Sequence, residues 1–361
     1  MTIKANQNVK QLIINILKTE VFSSLNKARK DFIFSVLWHI LSIKGRINFL
    51  QLGRFSSYGE QTFRNQFEKE FDFFSFNGHL IKQCVPGERI VVFDPSYIPK
   101  AGKSTYGMGR YWSGVAKSAK WGLEICGFAV VDIANNTALH LNAWQTPSAD
   151  ELKKRRLNLL AYYASLVTEN AADFKGFSDY IVADAYFSKK PFVDAITSSG
   201  LHFLSRLRDD SVLMYKYKGG PTGKKGAPKK FNGRVDPQNP DLNYFTTDLI
   251  NEDIAIYSAV VYSKAFKRDI KLAIAIFFKD GKEIARKLYF STDINQTGEK
   301  IVSNYRSRFQ IEFLYRDAKQ FTGLSTCQAR SKNKLDFHFN AALTAVNLAK
   351  HDWISTETHS T

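Results

Sequence analysis

Residues 295–324 read NQTGEKIVSNYRSRFQIEFLYRDAKQFTGL, and this stretch predicts more about the fold than any other part of the chain. It contains no proline, and its two glycines lie near its ends. Asn295 or Thr297 is suited to cap the start of a helix, and Gly323 is suited to stop one. The stretch therefore predicts one long helix.

Four polar residues of this helix lie close to one line. At about 100° per residue, Tyr305, Arg308, Glu312 and Lys319 fall within an arc of roughly 60°, and Arg316 lies near it. A carboxylate flanked by cations suits a site that binds metal and phosphate together. The alternative is a solvated, mixed-charge helix face stabilised by pairs four residues apart. The opposite face carries apolar residues that we expect to anchor the helix: Ile311, Leu314, Ala318 and Phe321.

The spacing Tyr305-x2-Arg308-x3-Glu312-x6-Lys319 resembles the YREK signature of DDE insertion-sequence transposases of the family-four type. In that family the glutamate is the third metal-binding carboxylate, and the other three residues hold the transposon-end DNA. The resemblance implies a metal ligand at Glu312 and DNA contacts from Tyr305, Arg308 and Lys319. It also requires two aspartates elsewhere in the chain.

The composition indicates a globular protein with a polyanionic partner. The 361 residues, 44% of them hydrophobic, suffice for two or three domains. The chain has 51 Lys and Arg against 34 Asp and Glu, a formal net charge of +17. That excess favours nucleic acid first and an anionic membrane surface second. A merely soluble basic protein is the simpler alternative.

Several classes of protein are disfavoured. The three cysteines (Cys84, Cys126 and Cys327) lack CxxC spacing, and the seven histidines form no HxxxH pair, which disfavours a disulfide framework and a zinc site. No signal peptide is recognisable, and the longest apolar stretch, residues 32–43, is too short to span a bilayer. We expect a bacterial-type cytoplasmic, nucleoid-associated protein without a membrane partner.

Two buried strands are predicted to end in an aspartate. Residues 89–93 form an apolar run followed by Asp94, with Pro95 expected to stop the strand, and residues 179–183 are followed by Asp184. In open α/β sheets ligands bind at the carboxyl ends of strands. The alternative is that the aspartates cap turns, as Asp-Pro often does.

The order of predicted elements is strand with Asp94, hairpin (strands 123–133 and 137–146), helix (149–170), strand with Asp184, helix and strand. This order resembles the ribonuclease H-like fold of DDE transposases, in which the first and fourth strands place two aspartates side by side and a later helix supplies the glutamate. The fold class is therefore predicted as α/β, a mixed sheet flanked by helices. Asp132 precedes a hairpin turn and Asp179 begins its strand, so both are rejected as site residues.

The predicted domains follow from this order. Residues 1–85 form a helical DNA-binding region, residues 86–210 and 291–350 the catalytic core, residues 211–290 a β-rich insertion, and residues 351–361 a polar tail. The insertion has predicted strands at residues 255–263, 269–278 and 285–292, and the YREK family carries an insertion at this place.

A basic run begins the insertion. Residues 215–234 hold seven Lys or Arg and no acid, which fits sequence-independent phosphate binding or a flexible solubilising loop. The predicted DNA contacts are Lys224, Lys225, Lys229 and Lys230.

The N-terminal region contains a weak DNA-binding signal. Residues 47–54 and 58–70 are predicted as two short helices that resemble a helix-turn-helix, with Phe63, Phe67 and Phe71 on the buried face. The second helix would present Arg64 to DNA, beside Gln61, Thr62, Asn65 and Lys69. Many helical hairpins share this pattern.

Three converging carboxylates need cations to neutralise them, and oxygen ligands suit two Mg²⁺ or Mn²⁺ ions. We expect Asp94 to bridge both ions, with Asp184 and Glu312 each binding one. The resemblance implies cleavage at the inverted-repeat ends of a transposon and strand transfer into double-stranded target DNA, performed by a homodimer in a synaptic complex. The alternatives are a non-catalytic DNA-binding regulator and a two-metal nuclease without strand transfer.

Overall fold

The computed structural model describes residues 3–102, 104–220 and 228–357, with side chains described between residues 7 and 351 of these ranges. Its contacts divide the chain into two compact units. The first unit comprises Met1–Arg89, Phe93–Arg156 and Gln310–Thr361, and the second comprises Ile90–Val92 and Leu157–Phe309. These boundaries differ from the predicted domain limits, which stay predictions.

The helices and strands follow one another in this order along the chain: α1 (Ile3–Leu17), α2 (Lys27–Ser42), α3 (Phe49–Phe55), α4 (Glu60–Gln66), α5 (Phe73–Cys84), β1 (Arg89–Pro99), β2 (Gly109–Ser113), β3 (Ser118–Asp132), β4 (Thr137–Gln145), α6 (Ala149–Lys154), α7 (Leu159–Glu169), α8 (Ala171–Lys175), β5 (Tyr180–Val182), α9 (Lys190–Ser198), β6 (His202–Arg206), β7 (Leu213–Lys216), β8 (Phe231–Arg234), β9 (Thr246–Ile250), β10 (Ile254–Ser263), β11 (Arg268–Lys279), β12 (Lys282–Ser291), α10 (Gly298–Ser307), α11 (Gln310–Phe321) and α12 (Lys332–Glu357).

The first unit contains the predicted hairpin. Strand β3 pairs antiparallel with β4 on one side and with β2 on the other, and β1 follows β3 in the sheet. The turn between β3 and β4 places Asn136 at φ +47°, a left-handed conformation that asparagine tolerates. Asp132 accepts hydrogen bonds from the backbone N–H groups of Ala134 and Asn135, so its carboxylate holds the turn.

A buried polar network fixes helix α12 against β4 and α5. His140 lies 3.0 Å from the Oδ1 atom of Asn340, and its backbone N–H donates to Asn347. The side-chain amide of Asn347 also donates to Asn77 over 3.0 Å. Burial lowers the pKa of His140 to about 3, with the Asn340 contact raising it in part, so the imidazole is neutral at physiological pH. Because buried amides are costly without partners, this network specifies one register for α12.

The N-terminal helices share an aromatic core with α12. The rings of Phe67 and Phe337 have centroids 4.3 Å apart, and those of Phe32 and Phe63 are 5.3 Å apart. The predicted burial of Phe63 and Phe67 is confirmed, whereas Phe71 is half-buried. Two short helices, α3 and α4, occupy the predicted helix-turn-helix positions, and reading of DNA by them stays a prediction.

The second unit is built on an open mixed sheet. Its strand order is β1-β5-β6-β12-β11-β10-β7-β8, with β9 paired to β10. Val91 and Val92 of β1 pair in parallel with β5, and β5 pairs in parallel with β6, whereas the remaining pairs are antiparallel. Helix α9 packs on β6 and α7, and α10 packs on β11 and β12. The predicted α/β class, a mixed sheet flanked by helices, is confirmed.

The inserted region contains more strands than predicted. The three predicted strands correspond to β10, β11 and β12, and Asp280 and Gly281 form the turn between the last two, both at positive φ. The short strands β7, β8 and β9 were not predicted, because each has only four or five residues and little apolar periodicity.

Two predicted boundaries are wrong. Strand β1 passes through Pro95 to Pro99; its parallel ladder with β5 ends at Val92, so the missing N–H of Pro95 costs that ladder nothing. The predicted helix at 149–170 is interrupted after α6, where Arg156 takes φ +56°. Helix α12 ends at Glu357, within residues 351–361, and the polar tail expected there stays a prediction.

Candidate active site

The predicted long helix at residues 295–324 is two helices, α10 and α11. The chain between them makes tight backbone bonds three residues back, from Arg308 N–H to the Tyr305 carbonyl (3.1 Å) and from Phe309 N–H to the Arg306 carbonyl (3.3 Å). Helix α10 belongs to the second unit and α11 to the first, so the break coincides with the boundary between the units. The four signature residues therefore do not share one helix face.

The predicted ends of this stretch are confirmed. The Thr297 hydroxyl caps α10 by accepting a hydrogen bond from Lys300 N–H, and Gly323 follows α11 at φ +74°. On α11, Ile311, Leu314 and Ala318 are buried as expected. Phe321 is 62% exposed, so its predicted role as an anchor is wrong.

In the first unit, helix α11 is fastened to β1 beside Asp94. Tyr315 Oη donates to the Asp94 carbonyl over 2.5 Å, and Lys319 Nζ donates to Ser96 Oγ over 3.0 Å. Glu312 precedes Tyr315 by three residues and so lies on the same side of the helix. We call Asp94, Ser96, Glu312, Tyr315 and Lys319 the Asp94 cluster.

A glycine on β3 makes room for Tyr315. A Cβ atom on Gly127 would lie 2.0 Å from Tyr315 Oη, closer than any real contact. Burial raises the pKa of the Tyr315 hydroxyl well above its ordinary value, and the Asp94 carboxylate adds to the effect. Tyr315 therefore remains a hydrogen-bond donor. Sequence reasoning missed both residues; the position of Tyr315 one turn after Glu312 was the only available signal.

Lys319 is held near Asp94 at some electrostatic cost. Burial lowers the pKa of the Lys319 ammonium, and the Asp94 carboxylate opposes that effect. A half-buried cation beside a carboxylate and a hydroxyl is placed to attract a further anion, such as a phosphate.

In the second unit, Asp184 lies near a pair of tyrosines and two arginines. It follows β5, and its Oδ1 accepts a hydrogen bond of 2.9 Å from Tyr186 N–H, which caps the short 3₁₀ helix Ala185–Phe187. The alternative that the aspartates cap turns is therefore confirmed for Asp184, which caps this short helix. We call Asp184, Arg206, Tyr289, Tyr305 and Arg308 the Asp184 cluster.

Tyr305 is the centre of the Asp184 cluster. Its ring centroid lies 4.9 Å from that of Tyr289, and the guanidinium carbon of Arg308 lies 5.9 Å from the Tyr305 ring. The pKa of Tyr305 is raised to about 12, chiefly by burial; Arg308 and Arg206 oppose this rise, whereas Asp184 and Tyr289 add to it. Arg308 itself is only 9% exposed. A buried guanidinium on an aromatic face is pre-organised to bind phosphate.

The other predicted DNA contacts lie on the surface. Arg316 is exposed, 3.4 Å from Asp317 and above the Phe313 ring. Arg64 binds Glu60 on its own helix. Lys229 and Lys230 are exposed at the start of β8, and Lys224 and Lys225 lie outside the described residues.

The donor set fits hard divalent cations by its chemistry. Asp94, Asp184 and Glu312 are all half-buried carboxylates, the oxygen ligands that Mg²⁺ and Mn²⁺ prefer. Val92 and Val182 pair in β1 and β5, and each aspartate comes two residues later in the sequence. Across the described ranges, no group of three or more His, Cys, Asp or Glu residues is arranged to hold a metal ion. The triad therefore stays a prediction, with two carboxylates in the first unit and one in the second.

Three findings concern the chain as a whole. None of the helices described in the structure has the length and apolar character needed to cross a membrane. No curated protein sequence matches the chain. The family model described as the transposase DDE domain matches residues 86–348, which include both aspartates, the inserted strands and helices α10 and α11. The chain therefore belongs to the transposase DDE domain family.

Proposed function

We propose that this protein cleaves the ends of an insertion sequence and joins them to target DNA by phosphoryl transfer with two divalent metal ions. Membership of the transposase DDE domain family supports a DNA substrate. The observation that carries the catalytic assignment is the position of Asp94 and Asp184, each two residues beyond the parallel pair Val92 and Val182. Parallel strands expose their carboxyl ends at one edge of a sheet, where ligands bind.

Asp94, Asp184 and Glu312 are proposed to hold the ions, with Asp94 shared between them. Two bound ions would supply an activated water or 3′-hydroxyl and stabilise the leaving oxygen of an in-line displacement. Tyr315 holds α11 against β1, and this contact is proposed to keep Glu312 close to the Asp94 strand. Lys319 and Arg308 are proposed to bind phosphates of the transposon end, which positions the scissile bond without a covalent enzyme intermediate.

The finer assignment is to the YREK group of insertion-sequence transposases. Tyr305 and Arg308 contact each other in the second unit, and Lys319 interacts with Asp94 in the first. We propose that Tyr305 and Arg308 bind phosphate in the second unit and that Lys319 binds phosphate in the first. We further propose a homodimer that brings two transposon ends together, with Mg²⁺ or Mn²⁺ as the cofactor.

The decisive experiment is a cleavage assay with Mg²⁺ on DNA that carries the flanking ends of the protein's own gene. We expect nicking at the ends by the wild type, and its loss in Asp94→Ala and Glu312→Gln with DNA binding retained. Glu299→Gln, which removes an exposed acid from α10, is the matched control and should cut normally. Retained cleavage in Glu312→Gln would refute the role of that residue. Cutting of any DNA regardless of ends would favour a nuclease, and binding without cutting in the wild type would favour a regulator.

A second experiment tests whether the two aspartates share ions. Fe²⁺ in place of Mg²⁺ generates radicals that cleave the protein backbone near the bound metal. Fragments that end near both residue 94 and residue 184, lost in Asp94→Ala, are the expected result. Cleavage near residue 94 alone would remove Asp184 from the metal site.

A further inference from the structure

The first unit contains a cleft lined by cations that belongs to neither cluster. Its volume is about 810 Å³, and none of the described residues that line it is acidic. Its walls come from the ends of α3 and α4, from the residues after β1, and from the loop between α11 and α12. The cations that line it are Arg46, Arg64, Lys100, Arg330 and Lys334.

The loop at residues 323–331 is fixed along its length. The Thr326 hydroxyl donates to the Ile47 carbonyl over 2.7 Å, and Tyr106 N–H donates to the Arg330 carbonyl over 2.9 Å. Lys100 Nζ donates to the Cys327 carbonyl, and the Ser331 hydroxyl donates to Glu68 over 2.7 Å. The cleft is therefore formed before any ligand arrives, which lowers the entropic cost of binding.

The cations differ in whether they have a partner. Arg64 pairs with Glu60, and Lys334 lies 3.1 Å from Glu68. Arg46 and Arg330 are exposed, and neither side chain forms an ion pair with the described residues.

These unpaired cations also affect Lys100, a half-buried neighbour. Burial lowers the pKa of Lys100, and the positive charges of Arg330 and Arg46 lower it further. A bound anion would relieve this mutual repulsion.

We propose that this cleft binds backbone phosphates of nucleic acid, outside the Asp94 and Asp184 clusters. The proposal rests on the proposed function for its choice of DNA as the source of phosphate. Charged contacts of this kind are independent of sequence and release counterions.

Strand β1 connects the cleft to the Asp94 cluster. Ser96 receives the hydrogen bond from Lys319, and Pro99 and Lys100 line the cleft. Four residues of extended chain span about 13 Å. At about 3.4 Å per nucleotide along one strand, the cleft would hold phosphates roughly four nucleotides from the scissile bond.

The test compares two double variants that each remove two exposed positive charges. Arg46→Ala with Arg330→Ala removes the two unpaired cations of the cleft, and Arg110→Ala with Lys120→Ala removes two cations from β2 and β3. Fluorescence anisotropy measures affinity for an end-bearing duplex and for a scrambled duplex over a range of salt. In the cleft variant we expect weaker binding of both duplexes and a slope of log affinity against log salt that is shallower by about two. A slope equal to that of the control variant would overturn the proposal.

Phosphate interference locates the contact. One methylphosphonate, which has no charge, is placed at successive positions of the end duplex. We expect one or two neighbouring substitutions, roughly four nucleotides from the cut, to weaken the wild type and leave the cleft variant unaffected. Equal sensitivity of both proteins at every position would contradict the assigned distance.

A titration with tripolyphosphate separates this proposal from the proposed function. In one outcome, the wild type binds tripolyphosphate but neither binds nor cuts DNA, and the cleft variant does not bind tripolyphosphate. The proposed function then fails, and the cleft binds a free phosphate compound. If the wild type cuts transposon ends and the cleft variant binds DNA as the control does, the function stands and the cleft proposal is wrong.

Discussion

The Asp94 and Asp184 clusters use similar residues with opposite balances of charge. The Asp94 cluster has two carboxylates and one ammonium, whereas the Asp184 cluster has one carboxylate and two guanidiniums. In the first, Tyr315 binds a strand carbonyl; in the second, Tyr305 lies under a guanidinium. The difference agrees with our proposal that the first cluster mainly binds metal ions and the second mainly binds phosphate.

Replacing either Asp94 or Asp184 alone should have the largest effect on DNA cleavage. Asp94→Asn and Asp184→Asn should each slow cleavage by roughly 1,000-fold or more, because several kcal/mol of metal stabilisation are lost. In the presence of a metal chelator, Asp184→Asn should bind DNA more tightly than wild type, since it removes a negative charge near two guanidiniums. Asp94→Asn should change that binding less. Cleavage rates and the DNA affinity from fluorescence anisotropy check these two expectations. An equal gain in DNA affinity in Asp94→Asn and Asp184→Asn would contradict the distinction between the clusters.

Filling the space at Gly127 should disturb only the Asp94 cluster. Gly127→Ala should lower the free energy of unfolding by about 1–3 kcal/mol, because its Cβ collides with Tyr315. Tyr315→Phe removes the clashing oxygen, so the double variant should lose less than the sum of the single changes. Denaturant unfolding measures this, with Gly87→Ala as control because no atom lies within 4 Å of its added Cβ. Additive losses would show that the tyrosine is not the obstacle.

The two cations proposed to bind phosphate, Arg308 and Lys319, should differ in their effects on DNA binding and cleavage. Arg308→Ala should weaken binding to the end duplex roughly tenfold, about 1.4 kcal/mol, and reduce its salt slope by about one. Lys319→Ala should impair cleavage more than binding, since Lys319 lies beside Asp94. Arg306→Ala, an exposed cation on α10, serves as the control. A larger binding loss in Lys319→Ala than in Arg308→Ala would reverse the assignment.

At alkaline pH, the free energy of unfolding should change in opposite directions for Tyr305 and for Lys319, one residue from each cluster. The pKa of Tyr305 is about 12 in the folded protein and about 10 in the unfolded chain, so the unfolded chain loses its proton first. Between pH 9 and 10.5 the wild type should therefore lose about 0.8 kcal/mol of unfolding free energy relative to Tyr305→Phe.

Lys319 should act in the opposite direction. Its pKa is lowered on folding, so the folded state gives up the proton first, and stability relative to Lys319→Met should rise as pH approaches 10.5. Denaturant titrations at pH 9 and 10.5 measure both differences. A difference of the same sign for the two variants would contradict the assigned surroundings of one of them.

Sequence patterns predicted the strands better than the contacts between them. The apolar runs before Asp94 and Asp184 and the hairpin after Leu123 follow local rules of burial and turn formation. The break at Arg308 has no such signal, because neither proline nor an internal glycine marks it. The bond from Tyr315 to the Asp94 carbonyl joins residues 221 positions apart, which no local pattern reveals.

The first unit is assembled from three separate parts of the chain, whereas the second takes all but three residues from one part. During synthesis, residues 157–309 leave the ribosome before α12 does, so the second unit has nearly all its sequence while the first still lacks its central helix. The side chain of Asn77 cannot accept its hydrogen bond from Asn347 until that residue, 270 positions later, has been made. A nascent chain would therefore carry all residues of the Asp184 cluster early but gain a stable Asp94 strand only once α12 has been made.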